Sequence, residues 1–374
     1  MIFVWILAIS LVTLYLIWIG MFWYGWEKLK EQKDVKRDYN IPVSVVIPAR
    51  NEETNLLPLL EALSSQDYPQ NHMEVIISDD HSTDLTPDIT FYYIKRHGNI
   101  RYVKLDDSQE GKKHALMNGI TASRYSHILT TDADCLPSPT WVRSMVDCFS
   151  QTNADMVAGP VLLKGNGSFF ARFQRLEFLS LIGSAAGSLS LGKTVMCNSA
   201  NLGFRKESYM EVQEELKDNI ASGDDVFLLM ALGRCGDKKL TYLKNRAAVV
   251  TTSIIDTFDD FFKQRQRWAS KSRHYRNPSS VFTSLLVFLI NLYAVCCLIF
   301  APVFTQFLTI AGLIYIGKSI VDFPFLLSVT RFFGQQRLMY FFLPVQFLYL
   351  FYISFTVLLA FTGVFDWKGR LVKW

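Results

Sequence analysis

The chain has 374 residues, of which 50% are hydrophobic and 19% charged, with 29 Phe and 8 Trp. That is too apolar for an ordinary soluble enzyme throughout, and a formal net charge of +4 gives no reason to expect nucleic acid as a partner. The six cysteines (Cys135, Cys148, Cys197, Cys235, Cys296 and Cys297) form no Cys-x-x-Cys and no zinc spacing with His, so reduced thiols in a cytosolic domain fit better than a disulfide framework.

The apolar excess is concentrated. Residues 2–25, 281–317 and 338–365 carry no charge, which gives a soluble domain held between membrane segments. The first run is too long for a signal-peptide core and lacks a basic leader and a small-x-small cleavage site, so 1–26 reads as an uncleaved membrane anchor. Lys28, Lys30, Lys33, Lys36 and Arg37 follow it and put that side in the cytoplasm. Asp38-Tyr39-Asn40 is a linker.

From residue 40 the pattern changes to short β-branched runs alternating with helical periodicity. Pro42–Pro48 is a buried strand; Ala49-Arg50-Asn51-Glu52-Glu53 ends it and opens a helix that runs to about Ser64, with Leu56, Leu57, Leu60 and Leu63 on one face. A strand over Glu74–Ser78 ends in Asp79-Asp80-His81-Ser82-Thr83-Asp84. A helix over 85–97 and a strand over Ile100–Leu105 follow. Gly111-Lys112 starts another helix, and the strand His127–Thr131 runs into Asp132-Ala133-Asp134. Further on come a strand over 154–161, an aromatic-faced helix over 168–183 and a turn-rich stretch with Asn198, Asn201 and Gly203. Ser222-Gly223-Asp224-Asp225 opens a helix, two short strands lie within 240–251, and Asp256 caps a helix bearing Gln264-Arg265-Gln266-Arg267-Trp268. Membrane segments are expected at 281–300, 302–321 and 340–363, with Pro302 dividing the first two, before a basic tail at 364–374. Three full crossings leave the C-terminus outside, yet Lys368, Arg370 and Lys373 favour the inside. Either one segment is re-entrant or interfacial, or the tail departs from the rule.

Alternating strands and helices mean βαβ units and a mostly parallel sheet, whose ligands gather beyond the carboxyl ends of the strands. The clusters Asn51/Glu52, Asp79/Asp80 and Asp132/Asp134 all fall at such ends and would converge on one edge. Asp132 and Asp134, on an extended segment, would point the same way and share one hard cation. Alone, Asp-x-Asp is as well an ordinary turn, and Asp79-Asp80 an Asx turn.

In order, Val45–Glu52, Asp79–Asp84, Thr131–Asp134, Gly223-Asp224-Asp225 and Gln264-x-x-Arg267-Trp268 resemble the signature of membrane-bound family 2 glycosyltransferases. The resemblance covers about 40–275, the expected cytosolic domain, together with the flanking membrane layout, 281–363 at the C-terminal side. It departs at Asp224, where the family usually has Glu, and at His81, where Gly is usual. It implies an α/β GT-A fold with appended transmembrane helices, a nucleotide-sugar donor (UDP being usual), Mg²⁺ or Mn²⁺, and inversion at the anomeric carbon.

By that resemblance Asp134 is the main cation ligand, and Asp132 assists it or contacts the nucleotide. Pro48, Ala49, Glu52 and Asp80 serve base and ribose. Lys112, at a helix start, either reaches phosphate or is simply solvated. Asp225 is the general base, with Asp224 the fallback. Gln264, Arg267 and Trp268 serve acceptor and diphosphate, while Arg265, Lys271, Arg273 and Arg276 meet anionic headgroups. The expected activity moves one sugar to a membrane lipid at the cytoplasmic face. A processive polysaccharide synthase is the alternative, and a non-catalytic membrane scaffold the reading from another class.

Overall fold

The computed structural model describes residues 2–32, 41–216 and 223–360, with the backbone of the strands Val364–Trp367 and Arg370–Lys373. The linker Asp38–Asn40, the basic residues Lys33, Lys36 and Arg37, and Ser222 lie outside the described residues, as do Lys368 and the side chains of the tail. The helices are α1 (Ile2–Lys28), α2 (Glu53–Ser64), α3 (Thr86–Ile94), α4 (Lys112–Ala122), α5 (Trp141–Thr152), α6 (Phe169–Ser190), α7 (Lys206–Val212), α8 (Asp224–Cys235), α9 (Phe258–Ser270), α10 (Pro278–Phe300), α11 (Gln306–Phe332) and α12 (Phe342–Ala360). The strands are β1 (Val43–Ala49), β2 (Met73–Asp79), β3 (Ile100–Lys104), β4 (His127–Thr130), β5 (Cys135–Pro137), β6 (Met156–Ala158), β7 (Val161–Lys164), β8 (Leu202–Arg205), β9 (Leu240–Tyr242) and β10 (Val250–Ser253).

The chain divides into two compact units, one of Lys30–Lys164 with Met196–Ser253, the other of Met1–Leu29, Gly165–Val195 and Ile254–Trp374. The first is the α/β unit. Its seven-stranded sheet has the order β3-β2-β1-β4-β8-β6-β9. Strands β3, β2, β1 and β4 are parallel, and β8 runs against both its neighbours, β4 and β6. Every residue of β1 and β2 is buried, as strands covered on both faces should be. The stretch expected as one strand over 154–161 is two. Met156–Ala158 joins the large sheet, whereas Val161–Lys164 pairs with β10 in a small sheet ordered β5-β10-β7.

Two packing features position the functional edge. Helix α4 lies so close to β1 and β2 that a Cβ on Gly119 would stand 2.5 Å from Val46 Cγ1. Asn201, with no exposure, donates to Pro160 O and Ala248 O at 2.8 Å each and accepts from Trp141 Nε1 at 2.9 Å. That one buried amide pins the turn before β8.

The second unit is helical. Among the described residues, four helices are long and apolar enough to cross a membrane: Ile2–Lys28, Pro278–Phe300, Gln306–Phe332 and Gln336–Ala360. Their outward residues include Ile6, Ile9, Ile299, Leu308, Ile316 and Phe355, all exposed, a surface suited to hydrocarbon and not to water. Polar side chains join the helices inside. Trp18 donates to Thr283 Oγ1 at 2.8 Å, Trp26 to Ser328 Oγ at 3.1 Å, and Tyr293 to Val4 O at 2.9 Å.

Three expectations change in this unit. The helix expected to end at 321 continues to Phe332 through Lys318, fully buried, and Asp322, partly buried, an i,i+4 pair 3.7 Å apart. Helices α6 and α9, expected within the 40–275 domain, belong with the long apolar helices. Helix α9 is capped by Thr257, whose hydroxyl accepts from Asp260 N at 3.1 Å, and not by Asp256. The six cysteines are free.

Candidate functional site

Three parallel strands, β1, β2 and β4, deliver their carboxyl ends to one edge of the sheet. Pro48 and Ala49 form the end of β1, in register with Ser78 and Asp79. The following turn is held to the β2 loop by a lattice of polar contacts. Asn51, at φ +50°, donates its N–H to Ser82 Oγ at 2.9 Å and accepts from Thr83 N at 2.9 Å. Glu52 N donates to Thr86 Oγ1 at 2.8 Å, and the Glu52 carboxylate accepts from Asn55 Nδ2 at 2.8 Å.

The β2 carboxylates split into two roles. Asp79 accepts from Ser82 N at 3.2 Å and from Tyr102 OH at 2.9 Å, so it closes an Asx-type turn. Asp80, 1% exposed, accepts from Gly111 N at 3.0 Å and has the Arg50 guanidinium 3.6 Å from its other oxygen. Asp80 thereby fixes the start of α4, and with it Lys112.

The centre of the site is a chain of contacts. Lys112 Nζ lies 2.6 Å from Asp132 Oδ1 and 3.5 Å from Ser199 Oγ. The Ser199 hydroxyl donates to Asp132 Oδ2 at 3.3 Å, and its backbone N–H donates to Asp225 Oδ2 at 2.9 Å. Asp225 Oδ1 accepts from Val226 N at 2.8 Å. Burial opposes the charge on Lys112, but Asp132 first, then Asp224 and Asp225, raise its pKa above the ordinary lysine range. Lys112 is ion-paired with Asp132 and 27% exposed.

Gly223 makes the α8 end of this chain possible. It caps the helix at φ +104°, a conformation side chains other than glycine rarely adopt, and places Asp224 and Asp225 in the first turn.

Asp132 and Asp134 meet differently from the expectation. Strand β4 ends at Thr130, and the pair sits on a turn closed by Cys135 N donating to Asp132 O at 3.1 Å. The turn, not an extended alternation, gathers the side chains. Ligand atoms of Asp132, Asp134 and Cys135 lie within 4.8 Å of one another. Desolvation, then the charge of Asp132, raises the Asp134 carboxyl above its usual range, against the lowering pull of Lys112. The Cys135 thiol is pushed well up by burial, then by Asp134 and Asp132, and donates to Asp134 Oδ1 at 3.4 Å. Of these donors the two carboxylates are the hard oxygen ligands, while a thiol suits softer ions. The carboxylate pair suits Mg²⁺ or Mn²⁺, which keep water or phosphate oxygens in their remaining positions.

Ser199 is the site residue that sequence reasoning missed. Its signal was the run Asn198-Ser199-Ala200-Asn201 before a strand, where Asn198 caps a tight turn by accepting from Ala200 N at 2.9 Å.

Gln264, Arg267 and Trp268 lie on α9, in the helical unit, half-buried. Arg265 between them does not face headgroups. It is 3% exposed and paired with Glu177 of α6, Nη2 to Oε2 at 2.7 Å and Nε to Oε1 at 3.2 Å. Arg273 donates to Ala360 O at 2.6 Å. Arg265 on α9 and Arg273 in the turn after it are both spent on protein partners, because neighbouring helices bring acceptors to them.

Residues 44–213 match the model of Glycosyl transferase family 2. The chain is similar to glycosyltransferase AglE of Haloferax volcanii, 28% identical over 186 residues, which are 49% of this chain and 59% of that one. It is also similar to the poly-beta-1,6-N-acetyl-D-glucosamine synthase of Staphylococcus epidermidis, 26% identical over 229 residues, 61% of this chain and 53% of that one. The chain thus spans less than two thirds of the length of these curated relatives. Among solved structures it resembles a mannosyltransferase from Pyrobaculum calidifontis in complex with GDP-Man and Mn²⁺, with a TM-score of 0.57 at 18% identity, covering 94% of this chain and 97% of that one. The fold is GT-A-like: a mostly parallel central sheet with helices, accompanied by helices long and apolar enough to cross a membrane.

Proposed function

We propose that the protein is an inverting, metal-dependent glycosyltransferase of a membrane, moving a sugar from a nucleotide-sugar donor to a lipid acceptor at the cytoplasmic face. The observation that carries this is the unbroken contact path Lys112–Asp132–Ser199–Asp225, which joins one expected donor carboxylate, Asp132, to the expected base. The family 2 domain over 44–213 supports the reaction class, and the four apolar helices support the membrane acceptor.

Breaking a sugar–diphosphate bond builds negative charge on the leaving diphosphate. Lys112 supplies a fixed cation for it. Asp134, with Asp132, would hold Mg²⁺ or Mn²⁺, which when bound neutralises diphosphate oxygens. Pro48, Ala49, Glu52 and Asp80 serve the nucleotide, UDP in the usual case of the family. Asp225 takes the acceptor hydroxyl proton: both its oxygens are oriented by backbone N–H groups and each keeps an acceptor position. Asp224 is the fallback base. Gln264, Arg267 and Trp268 serve acceptor and diphosphate, Arg267 by its fork of donors.

A second reading, a processive polysaccharide synthase, is favoured by the similarity to the poly-beta-1,6-N-acetyl-D-glucosamine synthase. One experiment separates the two. Full-length protein with Mg²⁺ or Mn²⁺, a nucleotide-sugar panel and lipid extract should release nucleoside diphosphate and yield a lipid heavier by one sugar. A ladder of polymer masses would establish the synthase, and full turnover in Asp225→Asn would remove the assigned base.

A further inference from the structure

We infer that Arg265, clamped by Glu177, is a positioning residue that sets the acceptor-side pair Gln264 and Trp268; the inference rests on the role proposed above for that pair. Arg265 is 3% exposed, and its guanidinium is used on every side. Two donors reach Glu177 of α6, at 2.7 and 3.2 Å. A third, Nη1, donates to Gln264 Oε1. One guanidinium carbon lies 4.2 Å from the Trp268 ring centroid and 4.5 Å from that of Phe261.

Glu177 is held in turn: Tyr352 of α12 donates its hydroxyl to Oε1 at 3.2 Å. The side chains of Gln264 and Trp268 therefore take their orientation from a planar cation that α6 and α12 hold from outside α9. Lysine cannot reproduce this, because it has neither the fork of donors nor the flat face. A buried ion pair is weak evidence for stability, since apolar residues of equal volume serve as well. What the guanidinium adds here is direction, given to two residues of one motif.

The test uses the full-length protein in lipid vesicles, with donor KM, acceptor KM, kcat and the thermal midpoint measured separately. The variants are Arg265→Lys and the uncharged double Glu177→Gln/Arg265→Met, which leaves no orphaned charge. Positioning predicts acceptor kcat/KM down about tenfold to a hundredfold, as small misplacements cost, with donor KM within about twofold and the double variant's midpoint near wild type. Wild-type acceptor constants in a stable double variant would overturn the inference. So would a parallel loss of midpoint and of both KM values, which marks a structural pair only. Donor cleavage by the wild type, and its loss in Asp134→Asn, are read in the same assay. If the wild type cleaves no donor, the underlying reading fails and takes the inference with it; if it cleaves and Arg265→Lys leaves acceptor constants unmoved, only the positioning role fails.

Discussion

Lys112 and Asp132 stand 2.6 Å apart, each side chain 27% exposed. The pair joins the first turn of α4 to the turn after β4, two segments that meet only because Gly119 lets α4 lie against β1. Its consequence is a division of labour between neighbouring carboxylates. Asp132 is already neutralised by a lysine, whereas Asp134 is exposed and accepts only from the Cys135 thiol among its described contacts.

Replacing Lys112 by Met should lower kcat by about a hundredfold or more, the scale of losing one preorganised charge-stabilising group. Lys112→Arg should recover part of that, since the charge survives and the geometry changes. Nucleoside diphosphate release at saturating donor measures both. Equal kcat in wild type and Lys112→Met would show that this cation acts only on Asp132.

Metal dependence should follow the same division. Chelation should abolish turnover, and Mg²⁺ or Mn²⁺ should restore it. Asp134→Asn should raise the cation concentration at half-activity by roughly tenfold or more, the usual cost of disturbing a metal's surroundings, and Cys135→Ala should leave it unchanged because hard cations prefer carboxylate oxygens to a thiol. A metal titration of the three proteins decides it. A shift in Cys135→Ala matching that in Asp134→Asn would make sulfur a ligand after all.

Much of this was legible in the chain because the signals were local. The β-branched run of β1 and the polar residues just past β1, β2 and β4 lie within a few positions of one another, so sheet edge and candidate site could be read together. What was not legible depends on contacts between distant segments. Ser199 joins Asp132 from 67 positions away, and Arg265 meets Glu177 from 88. A basic-aromatic stretch on an amphipathic helix reads the same whether its arginine faces headgroups or a buried glutamate. Helix α6 is short of charge on one face in either unit, so only packing could assign it. Lys318 and Asp322 broke the apolar run in the sequence, and only the neighbouring α1 and α12 show how the helix carries them.

Asn201 gives a stability prediction within the α/β unit. Asn201→Ala removes two donors and one acceptor from buried partners, leaving Pro160 O, Ala248 O and Trp141 Nε1 to find others. At about 1–3 kcal/mol for each buried group left unsatisfied, the loss should reach several kcal/mol. A clear fall in the thermal midpoint should accompany it, larger than for Ser199→Ala, whose hydroxyl makes two longer contacts, at 3.3 and 3.5 Å. Equal midpoints for the two variants would mean that water replaces the amide.

The polar cluster within the apolar helices predicts an asymmetry. Asp322 accepts from Tyr15 OH at 2.9 and 3.1 Å and from Gln346 Nε2 at 2.7 Å. Lys318, fully buried, lies 3.7 Å from Asp322 and 4.1 Å from the centre of the Tyr15 ring, and its ammonium has no hydrogen-bond partner among the described residues. Removing the lysine leaves a carboxylate that still has two neutral donors on α1 and α12. Removing the aspartate leaves a buried ammonium with only a ring face. Asp322→Leu should therefore cost about 3–5 kcal/mol, the range for orphaning one member of a buried pair, and Lys318→Met distinctly less. The double variant Lys318→Met/Asp322→Leu should recover most of the loss, because apolar residues of similar volume fill the site without an uncompensated charge. Thermal midpoints and yields of membrane-inserted protein for the three variants provide the measurement. An Asp322→Leu protein as stable as Lys318→Met would show that the ammonium finds an acceptor elsewhere, and the pair would lose its standing as the point where α1, α11 and α12 are joined.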